Sequence, residues 1–168
     1  VLTALYTCHR PALVYGGTAH ISFISFLLKP IMPLSSSVPP IPVLRVARPT
    51  NNIAALRRFY EAGLGFEILA QFENHAGFDG IILSHSGYPY HFEFTHQHGH
   101  VVASAPSQDN LLVFYFPDPV EWQKRVTHMM LQGFEPVKSY NPYWDTNGKT
   151  FEDADGYRVI LQQAGWAL

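Results

Sequence analysis

The sequence predicts an α+β fold made of two βαβββ modules in tandem, and three observations carry that reading. The chain repeats itself from Val43 onward: "VLRVARPTNNIAALRRFYEAGLGFEIL" is echoed by "LLVFYFPDPVEWQKRVTHMMLQGFEPV". Val43 to Gly65 spans 22 positions, as does Leu111 to Gly133, with Pro49 and Pro117 at the same offset. Each copy then leaves its helix through Gly-Phe-Glu into a set of strand-like runs.

The elements follow in order. Val43 to Val46 reads as a short apolar strand, and Pro49 ends it. Ile53, Leu56, Phe59 and Tyr60 recur at helical spacing, with Thr50 to Asn52 as caps and Gly63 or Gly65 as the stop. "FEILAQF", "GIILSH" and "YHFEFT" are the three strands that complete the first module. In the second copy Trp122, Val126, Met129 and Met130 form the apolar stripe, Asp118 caps and Gly133 terminates. "EPVKSY", "KTFED" and "YRVILQQ" are its strands, and "DADGY" turns between the last two. The modules are placed at residues 43–100 and 108–166, as one domain over 43–166. Residues 1–42 read as an extension ending in the Ser/Pro-rich linker "PLSSSVPPIP".

Composition narrows the function. Of 168 residues, 47% are hydrophobic and 14% charged, with a formal net charge of -2. No basic patch large enough for nucleic acid appears, so a small-molecule ligand is the expected partner. The lone Cys8 excludes a disulfide framework and a cysteine-rich zinc module. Ile21 to Leu28 is apolar but far shorter than the roughly 20 residues a bilayer span needs. No membrane partner is expected, and the cytoplasm is the expected compartment.

"AALRRFYEAGLGFEIL" and "FEDADGYRVIL" make the region from about Val43 to Trp166 resemble the vicinal oxygen chelate superfamily of glyoxalases, extradiol dioxygenases and bleomycin-resistance proteins. The resemblance implies two βαβββ modules curled as a mixed sheet around a cavity, helices outside. It also implies four metal-ligand positions, two per module, usually His, Glu or Gln, and it is compatible with a homodimer. The first-strand position falls on Arg45 and the end of module one on Glu93. In module two they fall near Asn110, Leu111 or Val113, and on Ile160. Only Glu93 is a credible ligand in that set, because arginine has no lone pair to give and Leu, Val and Ile carry no donor.

Strand parity sorts the histidine-rich stretch "YHFEFTHQHGH". Tyr90, Phe92 and Phe94 share the face that must pack on a helix, so His91, Glu93 and Thr95 look the other way, into the expected cavity. The strand is expected to end near Thr95, leaving His96, His98 and His100 in a linker. Arg45 and Glu93 are expected to form an ion pair where a metal would otherwise sit. His91 and Glu93 are the candidate catalytic acid/base residues. Arg45, Thr95, Tyr115, Tyr143, Trp144 and Gln162 are candidate ligand-binding residues, with Tyr143 and Trp144 as an aromatic clamp. "FENHAGFDG", with Glu73, His75 and Asp79, reads as a hairpin turn.

No metal or other cofactor is therefore favoured; if a divalent metal is used, Glu93, His91 and Gln162 are its candidate ligands. The leading expectation is a small-molecule-binding protein without the usual metal quartet. The alternative is a divalent-metal lyase, isomerase or dioxygenase.

Overall fold

The computed structural model describes residues 42–166; the expected N-terminal extension and its linker lie outside them. The first module contributes β1 (Leu44–Pro49), a helix α1 (Ile53–Arg57) that widens into a π-helical turn (Arg58–Gly63), β2 (Glu67–His75), β3 (Phe78–Ser84) and β4 (Tyr90–Gln97). The second contributes β5 (Leu111–Tyr115), α2 (Pro119–Leu131), β6 (Gly148–Glu152) and β7 (Arg158–Gln162). Two mixed sheets result, ordered β1-β4-β3-β2 and β5-β7-β6. In each, the first strand runs parallel to the last, β1 with β4 and β5 with β7. The expected α+β architecture is present.

Local chemistry sets the helix ends. The Asn52 side chain accepts from the Ala55 amide at 3.0 Å, and Asp118 accepts from Val120 at 2.8 Å ahead of Pro119. Gly65 and Gly133 take left-handed φ of 73° and 83° just beyond the helices, where a Cβ is disfavoured. The π turn lets neighbouring Phe59 and Tyr60 both be buried, Phe59 against Phe134 and Tyr60 against Phe94.

One apolar core serves both modules. Phe92, Phe94, Ile81 and Leu83 from the first sheet join Leu56, Phe59 and Tyr60, while Phe151, Val159 and Leu161 join Val126 and Met129. Each such side chain contributes about 1.5–3 kcal/mol by leaving water. Polar contacts fix the helices upon it: His128 bonds the Ala62 carbonyl at 2.8 Å, Arg58 that of Gln132 at 2.7 Å, and Trp122 Nε1 that of Leu161 at 2.8 Å.

A buried charge joins the modules. Arg48 Nη2 donates to Asp153 Oδ2 at 2.7 Å and to the Tyr60 hydroxyl at 2.9 Å, and Tyr60 donates to Asp153 at 3.1 Å. Asp153 Oδ1 accepts from the amides of Asp155 and Tyr157, both at 3.0 Å, and so shapes the β6–β7 turn. The Tyr157 ring lies under the guanidinium, 3.9 Å from Cζ to centroid. Burial works against this cation, yet Tyr60, Asp153 and Tyr157 together raise its pKa above the ordinary value.

Three expectations need correction. "EPVKSY" does not form a strand; it makes only an isolated bridge, Val137 with Thr150. Pro136 offers no amide, and the chain then turns into a short 3-10 segment, Pro142–Asp145, with Asp145 accepting from the Ser139 amide at 3.2 Å. β4 continues past Thr95 to Gln97, so His96 is in the strand, its Nδ1 at 3.0 Å from the Thr50 carbonyl. His98 pairs with Asp79 at 2.9 Å, and Glu73 and His75 belong to β2 rather than to the turn.

Candidate functional site

The parallel pairing of β1 with β4 aligns Arg45 with His91, Ala47 with Glu93 and Pro49 with Thr95. Alternation then places these six side chains on one face, while Val46, Phe92 and Phe94 pack into the core on the other. Arg45 bridges the two acceptors. Its Nε donates to His91 Nε2 at 2.7 Å and its Nη1 to Glu93 Oε2 at 3.0 Å. An arginine N–H only donates, so His91 Nε2 must accept, which leaves the ring proton on Nδ1. The Arg45 side chain is 46% exposed and that of Glu93 17%, so the carboxylate is the more enclosed partner. The expected Arg45–Glu93 pair is formed, and His91 joins it. Thr95 lies two residues further along the same face, its carbonyl accepting from the Thr50 amide at 2.8 Å.

The ladder of the second sheet pairs Val113 with Ile160 and Tyr115 with Gln162. In the repeat Val113 stands where Arg45 does and Tyr115 where Ala47 does, so the counterpart of Glu93 is Gln162. The position counted from the turn, Ile160, is the counterpart of His91. Counting from the turn fails because ladder register, not turn length, decides which residues align. This face is closed in the second module. Ser139 Oγ meets Thr150 Oγ1 at 2.5 Å, and Ile160 and Gln162 are buried. Gly148 permits the closure, since a Cβ there would lie 2.5 Å from the Trp144 carbonyl and 2.5 Å from Gln162 Oε1. Gln162 Oε1 itself has no hydrogen-bond partner among the described residues.

The remaining candidates sit apart from Arg45. Tyr143 and Trp144 pack edge to face, ring centroids 4.9 Å apart, and Tyr115 packs on Trp166 at 5.4 Å. No hydrogen bond, ion pair or ring contact among the described residues joins them to Arg45, His91 or Glu93. Sequence reasoning missed Arg48 and Asp153, whose pairing across 105 residues has no local signal.

The donors do not suit a metal ion. Among the described residues no three His, Cys, Asp or Glu side chains converge as a metal site. His91 Nε2 and Glu93 Oε2 already receive the two N–H groups of a permanent cation. The family's quartet reads here as Arg45, Glu93, Val113 and Gln162, with one ionisable oxygen ligand among them.

Comparison with known proteins agrees with the fold. Residues 44–95 match the YycE-like N-terminal domain and residues 109–163 the YycE-like C-terminal domain. The uncharacterized protein YycE of Bacillus subtilis is 39% identical over 121 residues, covering 72% of this chain and 87% of that protein. The crystal structure of a Bacillus subtilis YycE protein of unknown function superposes with a TM-score of 0.69 at 38% identity, over 74% of this chain and 90% of that one. Trypanothione-dependent glyoxalase I of Leishmania major shares the fold at 15% identity and a TM-score of 0.57, over 74% of this chain and 87% of that one. So does the fosfomycin resistance protein FosX of Mesorhizobium loti, at 8% identity and 0.55, over 72% and 90%. A match to both family domains, with the repeat in the described structure, places this chain in the YycE-like family of the vicinal oxygen chelate superfamily.

Proposed function

We propose that this protein binds a small organic molecule on the β1–β4 face through Arg45, His91 and Glu93, without a metal. The observation that carries the reading is the pair of hydrogen bonds from one guanidinium to His91 and Glu93. A metal needs free lone pairs at these atoms; here an organic cation occupies them. Arg45 Nη2 and Glu93 Oε1 have no partner among the described residues, so a donor and an acceptor remain side by side. Together they suit a ligand that carries a hydroxyl next to a carbonyl oxygen. Thr95 extends the polar strip along the same strand. Should the ligand be turned over, His91 and Glu93 are the groups within reach for proton transfer.

The test is the metal content of the purified protein, with a thermal-shift panel of nickel, zinc, iron and manganese. The expected result is substoichiometric metal and no metal-dependent stabilisation, beside stabilisation by hydroxy-carbonyl compounds. Stoichiometric metal that disappears in Glu93→Ala would replace this reading with a metal-dependent lyase, isomerase or dioxygenase.

A further inference from the structure

A cleft of about 410 Å³ lies where the β3–β4 turn of the first module meets β5 and α2 of the second. Its size suits a ligand of one or two rings. Tyr88, Tyr90, Tyr115 and Phe116 line it, with His85 and Arg125. None of these residues belongs to the Arg45 site. β5 is the outer strand of its sheet, so the ladder leaves this side open.

Arg125 sets the chemistry. Arg45, Arg48, Arg57 and Arg158 each hold a carboxylate within ion-pair distance. Among the described residues Arg125 holds none, and neither does Arg58, which donates to the Gln132 carbonyl; Arg125 Nη1 donates to the Leu64 carbonyl, a neutral acceptor. Half-buried, this guanidinium is pulled below its ordinary pKa by desolvation, which Glu121 offsets only in part. The side chain is also held in place: it lies across Gly65, where a Cβ would come within 2.2 Å of Nη1. Lys124, the neighbouring cation, is already paired with Glu121 at 2.7 Å. A polyanion would therefore meet one uncompensated charge, and a monoanion is the better match.

The walls select for a flat ligand. His85 packs edge-on against Phe66 at 4.3 Å and against Tyr88 at 6.1 Å, and Tyr88 packs on Tyr90 at 5.7 Å. Burial, then the charge of Arg125, depresses the His85 pKa, so the imidazole is uncharged at neutral pH and adds an aromatic edge rather than a second cation. Tyr88 is 63% exposed and forms the outer wall.

We propose that this cleft is a second ligand site for a planar aromatic carboxylate, its ring among Tyr88, Tyr90 and Tyr115 and its carboxylate on Arg125. The site stands on residues distinct from those of the proposed function, so either can fail alone.

The test is calorimetric titration of the full chain with 2-naphthoate and with 2-naphthylmethanol, which has the same ring system without the charge. Saturable binding of naphthoate, about tenfold or more tighter than the alcohol, is expected. Arg125→Gln should remove that preference and leave alcohol binding unchanged, Tyr88→Ala should weaken both, and Glu93→Gln should change neither. Tyr88→Ala also guards against loss of fold, because its side chain is largely in solvent. Absence of saturable binding, unchanged naphthoate affinity in Arg125→Gln, or loss of binding in Glu93→Gln would overturn the proposal.

Discussion

Arg48 and Asp153 meet at 2.7 Å with almost no exposure to solvent, the arginine from the first strand and the aspartate from the turn before the last. Tyr60 completes the cluster from the helix between them. A buried pair of this kind adds little net stability over an apolar substitute, but losing one partner strands the other's charge. Asp153→Asn should keep the shape and leave Arg48 uncompensated, lowering stability by about 3–5 kcal/mol in urea unfolding. Arg48→Met alone should cost a similar amount, and the double variant much less than the sum. Additive losses would show that the two residues act independently.

That cluster marks the limit of what the sequence shows. The repeat, the helix stripes and the caps at Asn52 and Asp118 are local patterns, and all are legible. Arg45 and Glu93 are legible too, because strand parity and the repeat put them on one face. Arg48 has the opposite parity, which a sequence reading assigns to apolar packing. The acid that neutralises it comes from a turn whose Asp-x-Asp-Gly pattern signals only a bend. The failed strand "EPVKSY" is a similar case: its composition suits a strand, but the Asn141–Pro142 turn and the Ser139–Asp145 bond take the chain elsewhere. Counting from the turn puts the family position on Ile160 rather than on Gln162, because only hydrogen-bonded register shows which of the two answers to Glu93.

Asp155 sits beside this cluster as a carboxylate with one oxygen satisfied. Oδ1 accepts from Thr50 Oγ1 at 3.1 Å, and the buried Oδ2 has no partner among the described residues. Burial raises its pKa above the ordinary 3.8; the Thr50 bond opposes the rise and the charge of Asp153 adds to it. The folded state therefore keeps this proton to higher pH than the unfolded chain does. Stability falls as pH rises from the ordinary value through the folded one, and the penalty is constant above it. Asp155→Asn keeps an acceptor for Thr50 and removes the charge. The variant should be more stable than the parent at pH 7, with the difference shrinking to nothing below the ordinary carboxylate range. Paired urea melts at neutral and acid pH measure it, and a variant weaker at pH 7 would contradict the assignment.

Gly148 lies where the chain returns across the second module, at a position that admits no side chain. Both the Trp144 carbonyl and Gln162 Oε1 would stand 2.5 Å from a new Cβ, and the first is backbone. Gly148→Ala should cost about 1–3 kcal/mol through overpacking. It should also alter the near-ultraviolet circular dichroism as Trp144 shifts. Retained stability with an unchanged spectrum would mean that the closing segment moves freely.

The Arg45 site separates binding from folding, because nearly half of its cationic side chain is in solvent. With the Arg45 side chain 46% exposed, its pair with Glu93 should contribute no more than about 1 kcal/mol to stability. Arg45→Met keeps the length of the side chain and removes every donor. Its melting temperature should stay close to that of the parent, while stabilisation by hydroxy-carbonyl compounds is lost. Glu93→Gln should act differently, since the amide still accepts from Arg45 but carries no charge; weakened rather than abolished binding is expected. In Arg45→Met the acceptors at His91 and Glu93 lose their cation, so a divalent metal should bind the variant more readily than the parent. Thermal shifts of both proteins with zinc and manganese measure this. Equal shifts would mean that the guanidinium is not what keeps a metal from these two side chains.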